Sequence, residues 1–224
     1  MFFFTQRWTH LLRVLLFGGG LAVVTFILIG QEVTTMTVDA SETDEHKSYL
    51  PIIYRPTELC YYVETDDAVM VEIESSPVVD DWVLENTFSG YSGSGYYTWR
   101  GPEYFAEPGN AILSYPISLT NQGTYRLDIH NWHPTHPSDM NDVWVRLDGG
   151  DWIKGFSNHI DRWTWDFNFH QSSLGPAYFH GVTPGLHVLE LSARSYGFSL
   201  DRFTLSTNES GQSVTLPVSP CVVP

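Results

Sequence analysis

From Cys60 onward the chain alternates apolar and polar residues with a period of two, the spacing of a strand with one buried face rather than of a helix. Val69, Val71 and Ile73 alternate with Met70, Glu72 and Glu74, and Tyr125, Leu127 and Ile129 with Arg126, Asp128 and His130. Val143, Val145 and Leu147 flank Trp144 and Arg146; His187, Leu189, Leu191 and Ala193 share one parity, and Phe203 and Leu205 follow. Turn signals separate these runs: Asn121-Gln122-Gly123, Asp148-Gly149-Gly150, Thr183-Pro184-Gly185 and Tyr196-Gly197. Short strands punctuated by glycine turns over about 160 residues predict an all-β chain, an antiparallel β-sandwich.

The N-terminus follows another pattern. Arg7 and Arg13 precede an apolar run from Val14 to Ile29; a basic flank, an apolar core and then polar residues is the layout of an export helix. Val38-Asp39-Ala40 offers a small-residue cleavage site. The apolar run is also nearly long enough to stay in a bilayer. Residues 1–30 are therefore expected to be a signal peptide or an N-terminal membrane anchor, 31–57 a Thr-rich and then acidic linker, and 58–224 the sandwich. Both alternatives place the sandwich outside the cytoplasm, secreted or tethered, where Cys60 and Cys221 can form a disulfide that ties its two ends together.

Charge and aromatic content narrow the partners. Twenty-six acidic residues against 11 basic ones give a net charge of −15, which disfavours a nucleic-acid partner. Aromatic residues make up 15%, with 8 Trp and 12 Tyr, and many fall in loops: Tyr96, Tyr97, Trp99 and Tyr104, then Trp132, then Trp163 and Trp165. Rings gathered at one end of a sandwich make a stacking platform for the apolar faces of uncharged sugars, with Asn141, Asp142, Arg100 and Arg194 as polar contacts. The alternative is that such rings fill the core; Trp99 and Trp163 are expected to be the exposed ones.

Three carboxylates stand out. Glu72 and Glu74 share one face of a strand, and Asp201 has the inward parity of Phe203 and Leu205. If the first and last strands are neighbours, the three converge as hard oxygen ligands for calcium; otherwise they are two solvated glutamates and an aspartate paired with Arg202 or Arg194. His130, His133 and His136 have a spacing open to zinc, but the segment is proline-containing with no cysteine near, which favours a polar loop. His187 has the parity of a hydrogen-bonded buried histidine. No nucleophile elbow occurs, and no acid pair is set as a glycosidase requires, so no catalytic residue is assigned.

The segments VMVEIESSP (69–77), NAILSYPISLTNQGTYRLDIHNW (110–132), NDVWVRLDGGDW (141–152), WTW (163–165) and GVTPGLHVLELSARSYGFSLDRFTLS (181–206) resemble carbohydrate-binding module families 6 and 35, the galactose-binding-like jelly rolls. The resemblance implies a jelly roll with adjacent termini and a structural calcium held by Glu72, Glu74 and Asp201. It also implies sugar binding in end loops, with Tyr97 or Trp99 and Trp163 or Trp165 as a ring clamp. Ser199 stands where family 6 usually has a sugar-binding Asn, and its shorter side chain offers fewer hydrogen bonds. The expectation is a monomeric, non-catalytic module for poly- or oligosaccharide, with Tyr97, Trp99, Trp132, Asn141, Trp163, Trp165, Arg194 and Ser199 as binding residues. It touches membrane only through an uncleaved N-terminal segment. The same fold also suits a cell-surface protein-interaction or structural module or, with acids from 80–103, a small glycan-active hydrolase.

Overall fold

The computed structural model describes residues 21–24, 36–39, 60–134, 140–170, 175–207 and 217–223. The chain divides into two units, Met1–Tyr54 and Arg55–Pro224. In the first, Leu21–Val24 (β1) pairs antiparallel with Met36–Asp39 (β2). These four residues of the export segment are thus extended, as suits the β-branched Val23 and Val24. The rest of that segment and the linker beyond Asp39 lie outside the described residues. No helix among the described residues is long and apolar enough to cross a membrane.

The second unit is all-β. Its strands are β3 (Tyr61–Val63), β4 (Ala68–Glu72), β5 (Trp82–Glu85), β6 (Tyr96–Trp99), β7 (Leu113–Leu119) and β8 (Gly123–Trp132). They continue with β9 (Asp142–Leu147), β10 (Ile153–Phe156), β11 (Asn168–Phe169), β12 (Gly175–Val182), β13 (Gly185–Ser192), β14 (Ser199–Ser206) and β15 (Cys221–Val222). One 13-stranded sheet runs β15-β3-β7-β13-β9-β10-β11-β12-β8-β14-β6-β5, with β4 also paired to β14. It curls into a sandwich, so that Tyr115 of β7 meets Phe203 of β14 edge-on at 5.2 Å. The pairing is antiparallel as expected except between β3 and β7, which run parallel.

The period-two pattern maps onto the core. Leu113, Tyr115, Ile117 and Leu119 of β7, Tyr125, Leu127 and Ile129 of β8, and Leu189 and Leu191 of β13 are buried between the layers. β14 departs from it, because all eight of its residues are buried. It lies between β8 on one edge and β4 and β6 on the other, and loops cover its outer side.

Two local features correct the parity argument. The register of β14 against β8 shifts between Leu200 and Arg202, as at a β-bulge. Leu200 therefore opposes Asn131 on the inner side, and Asp201 is the extra residue. At the other carboxylates, β4 ends at Glu72, and Ile73–Ser75 form a 3-10 turn closed by the Ser75 hydroxyl donating to the Glu72 carbonyl (2.6 Å). Glu72 and Glu74 therefore do not share a strand face.

The ends of the unit are joined by the Cys60–Cys221 disulfide, whose Cα atoms lie 5.4 Å apart, and by the β3–β15 pair. Beside it the Glu64 carboxylate accepts from the Thr120 N–H (2.5 Å) and hydroxyl (2.6 Å), Asn121 Nδ2 (3.2 Å) and the Tyr125 hydroxyl (2.8 Å). Burial raises the Glu64 pKa, but these bonds together outweigh it and hold the carboxyl below its ordinary 4.5. A depressed carboxyl stabilises the fold above its unfolded pKa, and that contribution is lost as pH falls through the folded value. Glu64→Gln is therefore expected to lower Tm at pH 7 and to flatten the further fall of Tm below pH 4.5; equal acid slopes in the two proteins would remove this role. Reduction of the disulfide, which closes a 161-residue separation, is expected to cost up to about 5 kcal/mol, read as a lower Tm in reductant that Cys60→Ser reproduces.

Candidate functional site

Two loops fold across the outer side of β8 and β14. Residues 86–95 connect β5 to β6, and residues 157–167 connect β10 to β11. The first is rich in small residues, and at Gly90 (φ +114°) a Cβ would come within 2.8 Å of Trp163 Cδ1; the missing side chain lets the two loops meet. The second is pinned to β8 by Asn131, whose backbone pairs with Thr164 (2.9 and 3.0 Å) and whose Nδ2 donates to the carbonyls of Ile129, Thr164 and Asp166 (2.7, 3.3 and 3.2 Å). In an extended segment Trp163 and Trp165 lie on one side, and both stack on His130 with centroids 5.0 Å away.

The result is a continuous aromatic face. Phe88 stacks on Trp132 at 4.0 Å, and Trp163 meets Tyr96 edge-on at 4.9 Å. The backbone of Phe88 is held at both ends, its N–H donating to the Tyr96 hydroxyl (3.2 Å) and its carbonyl accepting from Trp163 Nε1 (3.3 Å). Phe88 is 36% exposed, and Trp132, Trp163 and Trp165 are half-buried. Rings supported in this way present apolar area with little conformational freedom left to lose.

Beneath this face lies the acid centre. The fully buried Asp201 accepts from His130 Nδ1 (2.7 Å) and from the Ser92 N–H (2.9 Å). The Ser92 hydroxyl lies 2.9 Å from Glu72 Oε2 and 3.1 Å from Asp201 Oδ2, so these two carboxylates are one hydroxyl apart. Glu72 is also paired in two-point fashion with Arg202. Glu74 Oε1 accepts from the Ser94 N–H (2.8 Å) and hydroxyl (3.2 Å), while its Oε2 is buried without a hydrogen-bond partner. Burial, with the Glu72 charge adding to it, pushes the Glu74 carboxyl up. Gly93 (φ +63°) is required here, since a Cβ would lie 2.2 Å from Glu74 Oε1.

The three expected ligands thus meet at one loop, and their all-oxygen chemistry with the orphaned Glu74 Oε2 suits a hard cation. Arg202 and His130 are their present counter-groups. Among the described residues no three acid, imidazole or thiol side chains stand in metal-holding geometry.

The remaining expected binding residues lie elsewhere. Tyr97 and Trp99 face the core: Tyr97 donates its hydroxyl to the Ser76 carbonyl (2.7 Å), and Trp99, 1% exposed, packs on Trp82 at 5.4 Å and donates to the Pro102 carbonyl (2.7 Å). Trp99 is therefore not the exposed ring expected; on β6 it has the inward parity, opposite Trp82 of β5. Ser199 is buried, its hydroxyl 2.8 Å from that of Thr98. Asn141 donates to the Ser157 carbonyl and ties two loops together. Arg194 pairs with Asp142 and stacks between Phe105 (5.0 Å) and Trp144 (4.9 Å), as a staple of the end loops.

The histidines separate by parity. His130 is on the outer side, whereas His133, 2% exposed, lies three residues on with both ring nitrogens unpartnered, and burial lowers its pKa. His136 lies outside the described residues. His187 is hydrogen-bonded at both nitrogens, to Asp148 and to the Thr183 carbonyl (2.7 Å each). Sequence reasoning missed Phe88 and Ser92. Their one local signal is a large ring beside a Ser-Gly run, and two of their partners, Trp132 for Phe88 and Asp201 for Ser92, are more than 40 residues away along the chain.

No family model matches the chain, and no curated protein matches it. Solved structures do. A Podospora anserina GH26-CBM35 β-(1,4)-mannanase is 19% identical at a TM-score of 0.46, over 63% of this chain and 28% of that one. A CBM35 from Paenibacillus barcinonensis is 18% identical at a TM-score of 0.42, over 62% of this chain and 99% of that one. A family 6 carbohydrate-binding module from Clostridium cellulolyticum, in complex with xylose, is 16% identical at a TM-score of 0.39, over 61% of this chain and 95% of that one. The chain spans little more than a quarter of the mannanase. The likeness is to the fold of carbohydrate-binding modules of families 35 and 6.

The two kinds of tryptophan are separable by experiment. Trp99→Ala is expected to cost about 3–5 kcal/mol, as for other large core rings, and Trp163→Ala much less. Urea titrations of the two variants check this, and equal losses would place Trp163 in the core.

Proposed function

We propose that the chain is an exported, non-catalytic carbohydrate-binding β-sandwich that binds poly- or oligosaccharide on the face formed by Phe88, Trp132, Trp163 and Trp165. The observation that carries this reading is the face itself: large rings fixed from behind by stacking and hydrogen bonds, with part of their area open. Flat apolar area suits the C–H face of a pyranose. The disulfide supports a compartment outside the cytoplasm. In this reading calcium, held by Glu72, Glu74 and Asp201, stabilises the loop 86–95, and the module acts as a monomer.

A polysaccharide array probed with the full chain, in calcium and again in EDTA, tests the reading. Retention on one glycan class is expected, and Trp163→Ala should weaken it about tenfold, the size of a lost stacking contact. A blank array from folded protein would overturn sugar binding. The cation has its own test. Calcium at a hundredfold excess over its Kd should stabilise the fold by about 2.7 kcal/mol, seen as a higher Tm that Glu74→Gln abolishes.

A second reading, a protein-interaction module, is favoured by one feature. β5 ends the sheet, and its Val83 and Leu84 are 41% and 49% exposed. Such an edge can accept an added strand.

A further inference from the structure

We infer that Asp201 is a positioning residue, the single carboxylate that sets both halves of the aromatic face. This rests on the sugar-binding reading only for what the face is used for; the coupling itself is a matter of geometry. One arm runs through β8. Asp201 Oδ2 accepts from His130 Nδ1 at 2.7 Å, which fixes the imidazole plane, and Trp163 and Trp165 both stack on that plane at 5.0 Å. The other arm runs through the loop 86–95. Asp201 Oδ1 accepts from the Ser92 N–H at 2.9 Å, and the loop so held carries Phe88 onto Trp132 at 4.0 Å. The arms close on each other where Trp163 Nε1 donates to the Phe88 carbonyl (3.3 Å).

The charge state of the centre explains why the aspartate has this role and not a neighbour. Glu72 is engaged by Arg202, and Glu74 reaches only Ser94. Asp201 alone hydrogen-bonds both to His130 of β8 and to the backbone of the loop 86–95. It can do so because the bulge directs its side chain away from the apolar layer that strand parity assigns to it. A buried carboxylate with each oxygen engaged is costly to turn, so the loop and the imidazole are held to one arrangement by the same group.

The test is 19F NMR of the full chain carrying fluorotryptophan, in EDTA so that no divalent cation contributes. Resonances are assigned by single Trp→Phe variants. Asp201 is hydrogen-bonded to His130 and Ser92 and to none of the described tryptophans, so a change in its bonding reaches the rings through His130 or the loop. Asp201→Ala is expected to shift or broaden the Trp132, Trp163 and Trp165 resonances and to leave those of the core residues Trp82 and Trp99 in place. Asp201→Asn covers the case in which the alanine variant does not fold. An amide keeps one oxygen to accept from the Ser92 N–H and turns a donor toward His130, whose proton must then move from Nδ1 to Nε2, so the His130 arm should change, seen at the Trp163/Trp165 pair.

Unmoved resonances in a folded variant would overturn the inference, and so would equal shifts at Trp82 and Trp99. The sugar reading is scored separately, by retention on the array-selected glycan, where Asp201→Ala should lose about tenfold. Shifted rings with a glycan that never binds the wild type would sink the sugar reading and keep the coupling. Normal glycan retention by an Asp201→Ala protein with unmoved rings would do the reverse.

Discussion

A strand buried on both faces must find partners within the protein for the polar groups it carries, and β14, where the Thr204 hydroxyl is the exception, sets that demand on the rest of the molecule. Five of its eight residues are Ser199, Asp201, Arg202, Thr204 and Ser206, all buried. Water would satisfy them in an open sheet; here Thr98 meets Ser199, Glu72 meets Arg202, and His130 with Ser92 meets Asp201. Neighbouring strands supply most of these partners, and the loop 86–95 that helps to exclude water supplies Ser92 and brings Phe88 with it. The polar network under the face and the apolar surface above it are two consequences of one covered strand.

The sandwich was legible because its core strands bury one face and alternate faithfully. Val69, Leu127, Leu189 and Leu205 all stand where a period of two puts them. The approach of Asp201 to Glu72 also follows from the pairing of β4 with β14. Its details were not legible. Glu74 leaves the strand in a 3-10 turn, and Asp201 sits on a bulge, because a Ser-Ser-Pro run and a buried carboxylate each bend local geometry in ways that parity ignores. Trp99 misled for the opposite reason: it looked like a loop residue, yet it closes a short strand and takes the inward position opposite Trp82. Phe88 and His130 acquire their places from partners on other strands, so no local pattern announces them.

Electrostatics accounts for how so acidic a chain can present a neutral face. Of the seven Lys and Arg side chains among the described residues, six are paired with carboxylates: Arg100, Arg126, Arg146, Lys154, Arg194 and Arg202. Recognition of an anionic ligand relies on cations held ready for it, and here six of the seven are committed to the sheet and its end loops, while Arg162 is exposed beside Trp163. The carboxylates nearest the rings are turned inward, toward Arg202, His130 and the serines of the loop. What remains at the surface is aromatic area whose neighbouring Tyr96 hydroxyl and Trp163 N–H are bonded to the Phe88 backbone. In the proposed reading such a surface would discriminate by shape and by the orientation of C–H groups. The chain's net charge of −15 acts over a longer range, repelling other polyanions while exerting no such force on an uncharged ligand.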